Sequence, residues 1–339
     1  MKLLTPLSLF YDLGARLRLS LYERGMKKSY KAACPVVSVG NLTVGGTGKT
    51  PVVIDLARRF AARGFKPAVI SRGYKRKSTQ PTLVVSDGEK LASVEESGDE
   101  PYLIAVSTGA IVIVGTDRVA SAQLAVTKYG ANLIILDDGF QHLRLRRDLD
   151  ILLWDMNDEP KAACLLPAGR LREPLSALGR AQQIVLTKGG DPENLKRVAS
   201  ELRSFNEDAP ISSCRFVPAA LCEFKQNAFV DHDLKMIEGK SVLVFCGIAR
   251  PEQLYSTVEA LGAKISARLA FADHHWFNGG DLESLARLAV QSGAEYFLTT
   301  EKDLVRLDSA ALPLKVLAVR LSVEWQDQYP PLLEGFLRG

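Results

Sequence analysis

The stretch that decides the fold is Val36-Val-Ser-Val-Gly-Asn-Leu-Thr-Val-Gly-Gly-Thr-Gly-Lys-Thr-Pro51. An apolar, β-branched run leads into a glycine-rich turn, and Lys49 and Thr50 stand where a helix should begin. The apolar residues of that helix recur at helical spacing: Val52, Val53, Leu56, Ala57 and Phe60. Such a strand, turn and helix bind polyphosphate, because backbone N–H groups contact its oxygens, the Lys neutralises the outer phosphates and the Thr hydroxyl reaches a Mg²⁺.

The turn departs from the general phosphate-loop pattern at one position, since Thr43 stands where that pattern has glycine. Three nearby glycines partly offset the departure. A chance Gly-Lys-Thr in an ordinary loop is the alternative, and the strand and helix patterns on its two sides argue against it. The residues predicted to hold a nucleoside triphosphate are Thr43, Val44, Gly45, Gly46, Thr47, Gly48, Lys49 and Thr50.

Length and composition indicate a globular protein with two domains. The chain has 339 residues, of which 47% are hydrophobic and 24% charged. This length exceeds what a single hydrophobic core usually supports. A net charge of +4 is too mild to indicate nucleic-acid binding. The five cysteines are scattered and odd in number, which favours a reducing compartment over a disulfide framework. The sequence contains neither a Cys-x-x-Cys nor a His-x-x-x-His spacing, so a zinc site is not expected.

Apolar strands alternate with helical patterns along most of the chain, which predicts parallel sheets covered on both faces, with ligands at the carboxyl ends of the strands. The predicted fold class is α/β, with two α/β/α layered domains, the first a parallel sheet of the P-loop NTPase type. We expect an amphipathic membrane-interface helix region at 1–30, a nucleotide-binding domain at 31–155 and a second α/β domain at 156–339. Residues 217–238 are less regular and predict a ribbon or a connector.

The first thirty residues form a basic, amphipathic pattern. Its apolar residues Leu3, Leu7, Phe10, Leu17 and Leu21 recur at helical spacing. Its positive residues are Lys2, Arg16, Arg18, Arg24, Lys27, Lys28 and Lys31. The segment is too interrupted by charge to span a bilayer. A helix lying on an anionic membrane surface and a helix packed on its own domain both fit the pattern.

Two acids follow an apolar strand in Leu133-Ile-Ile-Leu-Asp-Asp-Gly-Phe-Gln-His142. In phosphate-loop enzymes a carboxylate at this place holds Mg²⁺ through water or positions the nucleophile. A simple turn is the alternative, because Asp-Gly is common in turns. We expect Asp137 to be the metal partner together with Thr50, and Asp138 to be the positioning group, although spacing alone does not separate the two acids.

Two further segments carry groups that could move a proton. Asp99 precedes a predicted helix in Gly98-Asp-Glu-Pro101, where it could cap the helix or act as a general base beside the phosphates. The segment Phe271-Ala-Asp-His-His-Trp276 holds two of the four histidines and could supply a tuned base, a metal ligand or only a polar loop. Arginines at the ends of predicted strands suit phosphate as a group: Arg72, Arg76, Arg118, Arg170 and Arg172.

Together these segments resemble the tetraacyldisaccharide 4'-kinase family, the lipid A 4'-kinases of Gram-negative bacteria. The matching stretches, in order between residues 38 and 303, are SVGNLTVGGTGKTP, ISRGYKR, SGDEP, GTDR, ILDDGFQH, LLPAGRLREP, VFCGIARP, FADHH and TTEKD. Thr43 in the turn is usual in this family. Ala272 replaces a proline common in the FADHH motif, which should change loop stiffness and not chemistry.

The resemblance implies transfer of the γ-phosphoryl group of ATP to the 4'-hydroxyl of a tetraacyldisaccharide 1-phosphate, giving lipid IVA. It implies ATP and Mg²⁺ as cofactors, an active site in a cleft between two α/β/α domains, and Asp99 paired with His274 to activate the sugar hydroxyl. Thr50, Asp137 and Asp138 resemble the Mg²⁺ and phosphate-side site. Arg172, Glu173 and Arg118 match residues needed for activity.

The resemblance also implies the partners and the place of work. These are the lipid A disaccharide precursor and the surface of the inner membrane, with the protein peripheral on the cytoplasmic face. Neither nucleic acid nor an obligate protein partner is expected. The alternative function is a P-loop regulatory nucleotidase or metallochaperone-type switch, and Thr187-Lys188 and Thr300–Asp303 faintly resemble base-reading loops of GTP proteins. A structural or nucleic-acid-binding role is third, because it leaves the phosphate loop idle.

Overall fold

Residues 5–189, 191–326 and 330–338 are the part of the chain that the computed structural model describes, and in that part thirteen strands form one continuous sheet. The strands are β1 (Val36–Gly40), β2 (Pro67–Ser71), β3 (Thr82–Ser86), β4 (Ile111–Gly115), β5 (Leu133–Asp137), β6 (Leu149–Asp155), β7 (Gln183–Thr187), β8 (Ile211–Lys225), β9 (Ala228–His232), β10 (Ser241–Cys246), β11 (Lys264–Ala270), β12 (Tyr296–Thr300) and β13 (Val316–Trp325).

The α-helices in the same described ranges lie between these strands or flank them. They are α1 (Thr5–Glu23), α2 (Lys49–Ala62), α3 (Val94–Ser97), α4 (Asp99–Thr108), α5 (Arg118–Thr127), α6 (Pro192–Arg203), α7 (Pro251–Ala260), α8 (Gly279–Ser292), α9 (Glu301–Leu304) and α10 (Pro331–Arg338).

The strand order is β11-β10-β12-β13-β8-β7-β6-β1-β5-β2-β4-β3, with β9 paired to β8. Pairing is parallel along most of the sheet and antiparallel between β3 and β4, β8 and β13, and β8 and β9. The predicted α/β class with a P-loop type of parallel sheet is therefore confirmed. Strand β1 lies between β5 and β6, so the loops that come after β1 and β5 meet at one edge of the sheet.

Helices cover both faces of the amino-terminal half, which is why its central strands are apolar throughout. Strands β1, β2, β4 and β5 are buried at every position. On one face, Leu56 and Phe60 of α2 pack with Val39 and Ile135 in one core cluster. Burial on two faces removes the alternation of a one-sided sheet and leaves continuous Val, Ile and Leu runs that predict such strands well.

Strand β8 joins the two halves of the sheet. Its first residues pair in parallel with β7, and its remainder pairs antiparallel with β13 and β9. The irregular stretch at 217–238 is therefore largely a two-stranded ribbon, and the strand predicted at 211–216 continues to Lys225. Strand β7 and helix α6, which follow residue 155, pack with β6, which precedes it, in one core cluster. The domain boundary predicted at residue 155 therefore stays a prediction.

Helix α1 covers Thr5–Glu23 of the region predicted at 1–30, and the membrane-interface role of that region stays a prediction. Lys2 and Leu3 lie outside the described residues. Polar contacts hold the helix to the rest of the chain: Ser8 Oγ donates to the carbonyl of Leu165 at 3.1 Å, and Tyr11 Oη donates to that of Arg172 at 3.0 Å. Its exposed apolar side chains are Leu7, Leu9, Phe10, Leu13 and Leu17. Among the described helices, none has the length and apolar character needed to cross a bilayer.

Candidate active site

The predicted strand, turn and helix are confirmed at the phosphate loop. Strand β1 ends at Gly40, and α2 begins at Lys49 directly after Gly48, whose φ of 87° lies in the left-handed region. A Cβ on Gly48 would lie 2.1 Å from the ring of Phe216, so a side chain at this position would meet both backbone strain and a neighbouring ring. The first turn of α2 therefore presents Lys49 and Thr50 at the end of the glycine-rich segment.

The segment LLPAGRLREP braces this turn from outside. The Val44 N–H donates to the carbonyl of Arg170 at 2.8 Å, and the Arg172 N–H donates to the carbonyl of Leu42 at 2.6 Å. The Arg170 guanidinium donates in return to the carbonyl of Val44, from Nη2 at 2.7 Å. Two of these bonds occupy carbonyl groups of the turn and the first occupies the N–H of Val44, so they fix the shape of the turn. An anion would be bound by N–H groups that lie later in the turn.

A second brace comes from the end of β7. Thr187 Oγ1 donates to the carbonyl of Thr47 at 2.9 Å, and Lys188 Nζ donates to the carbonyl of Gly46. Asp155 holds this lysine at 2.9 Å and also contacts Arg250 Nη1 at 3.1 Å. The predicted base-reading residues Thr187 and Lys188 thus contact the phosphate loop itself, and the VFCGIARP motif joins them through its arginine.

The acid pair lies at the end of β5, as predicted, and the structure places β5 next to β1. Asp137 is buried and accepts a hydrogen bond from Ser71 Oγ at 2.8 Å on Oδ2, whereas its Oδ1 has no hydrogen-bond partner. Burial, together with the carboxylates of Glu100 and Asp138, raises the pKa of Asp137 to about 6. A buried carboxylate oxygen without a partner is costly unless a cation or a bound water satisfies it.

This environment fits the predicted Mg²⁺ site. Mg²⁺ takes oxygen ligands and keeps several waters, so a Thr50 hydroxyl and one carboxylate suffice when phosphates complete the shell. Among the described residues, no cluster of three or more His, Cys, Asp or Glu could hold a metal by itself. The free Oδ1 of Asp137 is the oxygen that would accept a magnesium-bound water.

Asp138 serves a different set of partners. Arg172 binds its carboxylate with two N–H groups, Nη1 to Oδ2 at 2.7 Å and Nη2 to Oδ1 at 2.8 Å. Lys49 Nζ lies 3.6 Å from Oδ1 of Asp138 and donates to Asn41 Oδ1 at 3.1 Å. Burial alone would raise the pKa of Asp138, but the Arg172 hydrogen bonds and the charges of Lys49 and Arg118 hold it well below its usual range. Asp138 therefore places two cations at the phosphate loop.

Asp99 and His274 meet across the two halves of the chain. His274 Nδ1 lies 2.8 Å from Oδ2 of Asp99, although 175 positions separate the two residues. Asp99 is the first residue of α4, and the N-cap position is held by Gly98, so the helix-cap alternative for Asp99 is wrong. Burial works against the charge of Asp99, but the hydrogen bond from His274 and the cations Lys302 and Arg306 lower its pKa.

The loop after β2 links this pair to a cavity of about 670 Å³ beside α1. Arg72 lines the cavity, the ring of Tyr74 packs edge-on against His274 at 5.7 Å, and Lys75 Nζ donates to the carbonyl of Asp273 at 3.2 Å. Asp138 and Glu173 also line the cavity. Its positive lining is Arg16, Arg18, Arg72, Arg118, Arg172 and Arg180.

Two predicted residues have partners that the sequence did not indicate. Glu173 accepts a hydrogen bond from Arg180 at 2.5 Å, and Arg118 donates to the carbonyl of Asp138 at 3.1 Å. Sequence reasoning missed Asn41, although it stands inside the phosphate-loop segment. It also missed the role of Lys302 and Arg306, which contact the Asp99–His274 pair.

A glycine-rich turn on a parallel sheet, with an acid pair on the adjacent strand, places the chain in the class of P-loop enzymes. Residues 1–338 match the sequence model of the tetraacyldisaccharide-1-P 4'-kinase family, LpxK. The chain belongs to this family, and the resemblance read from its motifs is confirmed.

Individual relatives agree with the family assignment. A tetraacyldisaccharide 4'-kinase of Syntrophus aciditrophicus is 40% identical over 98% of this chain and 91% of its own length. That of Desulfotalea psychrophila is 40% identical over 93% of this chain and 90% of its own length. The crystal structure of the "apo" form LpxK from Aquifex aeolicus in complex with ATP is 33% identical, covers 99% of this chain and 98% of its own, and superimposes with a TM-score of 0.79.

Proposed function

We propose that this protein transfers the γ-phosphoryl group of ATP to the 4'-hydroxyl of tetraacyldisaccharide 1-phosphate, which yields lipid IVA in lipid A biosynthesis. Family membership supports the reaction. The observation that carries the assignment of residues is the contact between Asp99 and His274, which joins the phosphate-loop half to the other half of the chain. It favours a kinase over a regulatory nucleotidase, because it supplies a base for an acceptor hydroxyl.

The phosphate loop binds the nucleotide in this proposal. Backbone N–H groups between Gly45 and Thr50 bind phosphate oxygens, since the N–H of Val44 is bonded to Arg170. Lys49 and Arg172 neutralise the charge that spreads over the γ-phosphoryl oxygens. Thr50 and, through water, Asp137 would hold Mg²⁺, which supplies further charge neutralisation at the phosphates. Asp138 keeps Arg172 in place with its two hydrogen bonds.

The Asp99–His274 pair receives the proton of the acceptor hydroxyl. Asp99 is only 4% exposed and holds Nδ1 of His274, so the acceptor hydroxyl would give its proton to the other ring nitrogen, Nε2. The hydroxyl oxygen then bonds to the γ-phosphorus as the bond to the β–γ bridging oxygen breaks, and ADP leaves. The Asp99 carboxylate stabilises the imidazolium that forms.

The arginine-lined cavity beside α1 suits the phosphorylated head group of the acceptor. Its positive lining can pair with the 1-phosphate, and Asp138 in its wall places it next to the phosphate loop. The exposed apolar face of α1 adjoins the cavity, since Phe10 and Tyr11 line it. Acyl chains could therefore remain in the membrane while the sugars enter the cleft, with the protein peripheral on the cytoplasmic face of the inner membrane.

Replacing Phe10, Leu13 and Leu17 together by Ser should weaken binding to vesicles that contain anionic lipid by at least about tenfold. Burial of one such side chain contributes about 1.5–3 kcal/mol, and basic residues near the surface add about 1 kcal/mol each. Vesicle flotation measures the effect. The matched control is Val290→Ser, because Val290 is an apolar side chain 79% exposed on α8. Unchanged flotation of the triple variant would assign α1 to packing alone.

The test of the proposed reaction tracks the γ-phosphate of labelled ATP in detergent micelles with Mg²⁺, with and without tetraacyldisaccharide 1-phosphate. We expect label in the lipid when the acceptor is present and little hydrolysis when it is absent. Hydrolysis of equal rate in both mixtures, with no labelled lipid, would favour the regulatory nucleotidase instead.

We also propose that residues 31–155 and residues 156–339 act as two domains that close on the bound substrates.

A further inference from the structure

Lys302 lies against the imidazole of His274. It belongs to the TTEKD motif, immediately after β12, and its Nζ is 3.2 Å from Nε2 of His274. Glu100 Oε1 lies 3.2 Å from the same Nζ, Asp273 Oδ1 3.6 Å and Asp99 Oδ2 3.8 Å. The motif therefore contacts the proton-accepting pair through its lysine.

Lys302 is held there as a cation. Burial works against its charge, but the carboxylates of Glu100, Asp99 and Asp273 outweigh that cost and raise its pKa. An ammonium group can donate hydrogen bonds and cannot accept them. Its partner Nε2 must therefore be an acceptor, so the proton of the neutral imidazole lies on Nδ1, where Asp99 accepts it.

The backbone around Lys302 is fixed to the loop that carries His274. Asp303 is fully buried and accepts the Gly247 N–H at 3.1 Å, while the carbonyl of Gly247 accepts the His274 N–H at 3.1 Å. Asp303 also pairs with Arg306, whose Nη1 lies 3.1 Å from Oδ2 of Asp99. His274 itself has a φ of 63°, a conformation that needs such support.

We propose that Lys302 is a positioning residue for the Asp99–His274 pair: it fixes His274 as the neutral Nδ1–H form, whose Nε2 is ready to accept the proton of the acceptor hydroxyl. When that hydroxyl takes the place at Nε2, Glu100 and Asp273 retain the ammonium group beside the site. Without the ammonium group, the negative charges of Asp99, Glu100 and Asp273 would exceed the positive charge that Arg306 supplies. This excess of negative charge would favour protonation of the Asp99–His274 pair as a unit. The charge of Lys302 would thus keep the base available at neutral pH.

The first test needs no substrate and therefore stands apart from the proposed kinase reaction. The chain contains four histidines, so ¹⁵N NMR of the imidazoles with a His274→Gln reference identifies the His274 signals. We expect the Nδ1–H tautomer in the wild-type protein at neutral pH. An Nε2–H tautomer or an imidazolium would overturn the proposal, whether or not any variant folds.

The second test rests on the proposed function and compares pH profiles of kcat for Lys302→Met, Lys302→Arg and the surface control Lys240→Met. For Lys302→Met we expect a loss of up to about tenfold at pH 7 that largely recovers near pH 9, as expected when the acid limb of the kcat profile moves up by about one pH unit. Lys302→Arg keeps the positive charge, so the acid limb of its kcat profile should return to the wild-type position. A loss of equal size at every pH, or no loss, would contradict the proposal. Failure of the wild type to label the lipid would instead reject the kinase reaction.

Discussion

Replacing Lys49 by Met should lower kcat by about 10³-fold and weaken ATP binding, which makes it one of the two largest effects expected. The ammonium group lies beside Asn41 and Asp138 at the end of the glycine-rich turn. There it would neutralise the charge that develops on the transferred phosphoryl group, and groups that stabilise such charge contribute about 10²–10³-fold each. Single-turnover transfer of labelled phosphate and calorimetric titration with ATP measure the two effects.

Lys128→Met is the matched control, since Lys128 is an exposed lysine at the carboxyl end of α5, where its Nζ lies over the ring of Tyr129. It removes the same charge and should leave both measurements within about twofold of wild type, as surface substitutions usually do. The assignment of Lys49 to the nucleotide fails if Lys49→Met keeps wild-type turnover while its melting temperature is unchanged.

Asp99→Asn and His274→Gln should each lower kcat by about 10²–10⁴-fold, the range of a general base, with little change in the affinity for ATP. The phosphate loop, Lys49 and the acid pair remain intact in both variants, so nucleotide binding should persist. A split between kcat and affinity separates this effect from unfolding, which would abolish both.

His275→Gln is the control for this pair. His275 is the adjacent histidine, and its Nε2 contacts Asp281 at 2.9 Å instead of Asp99. It should retain most of the wild-type kcat. If His275→Gln lost as much turnover as His274→Gln, the effect would belong to the loop as a whole and not to the pair.

The strands were predictable because burial on both faces makes parallel strands apolar at every position, and the glycine-rich turn predicts a phosphate loop and a helix after β1. The long strand β8 was recognised only over its first residues, since its continuation is a half-exposed ribbon without a continuous apolar run. Sequence pattern describes a local environment, and β8 changes environment along its length.

The site was predictable where its parts are close in sequence. The turn, Thr50 and the acid pair each depend on one strand and its neighbours in the sheet. The pairing of Asp99 with His274 was implied by resemblance alone, because nothing local joins residues 175 positions apart. The placement of Lys302 depends on β10, β11 and β12 ending at the same edge of the sheet. The order of these strands in the sheet could not be predicted from any one motif.

The central claim is that Asp99 from one half of the chain and His274 from the other act as a single base beside the phosphate loop. The most direct test is the kcat of the double variant Asp99→Asn/His274→Gln, measured as lipid phosphorylation beside the two single variants. Residues that act as a unit are strongly non-additive, so we expect the double variant to lose about as much turnover as either single variant. Losses that multiply would show that the two residues act independently and would contradict the account.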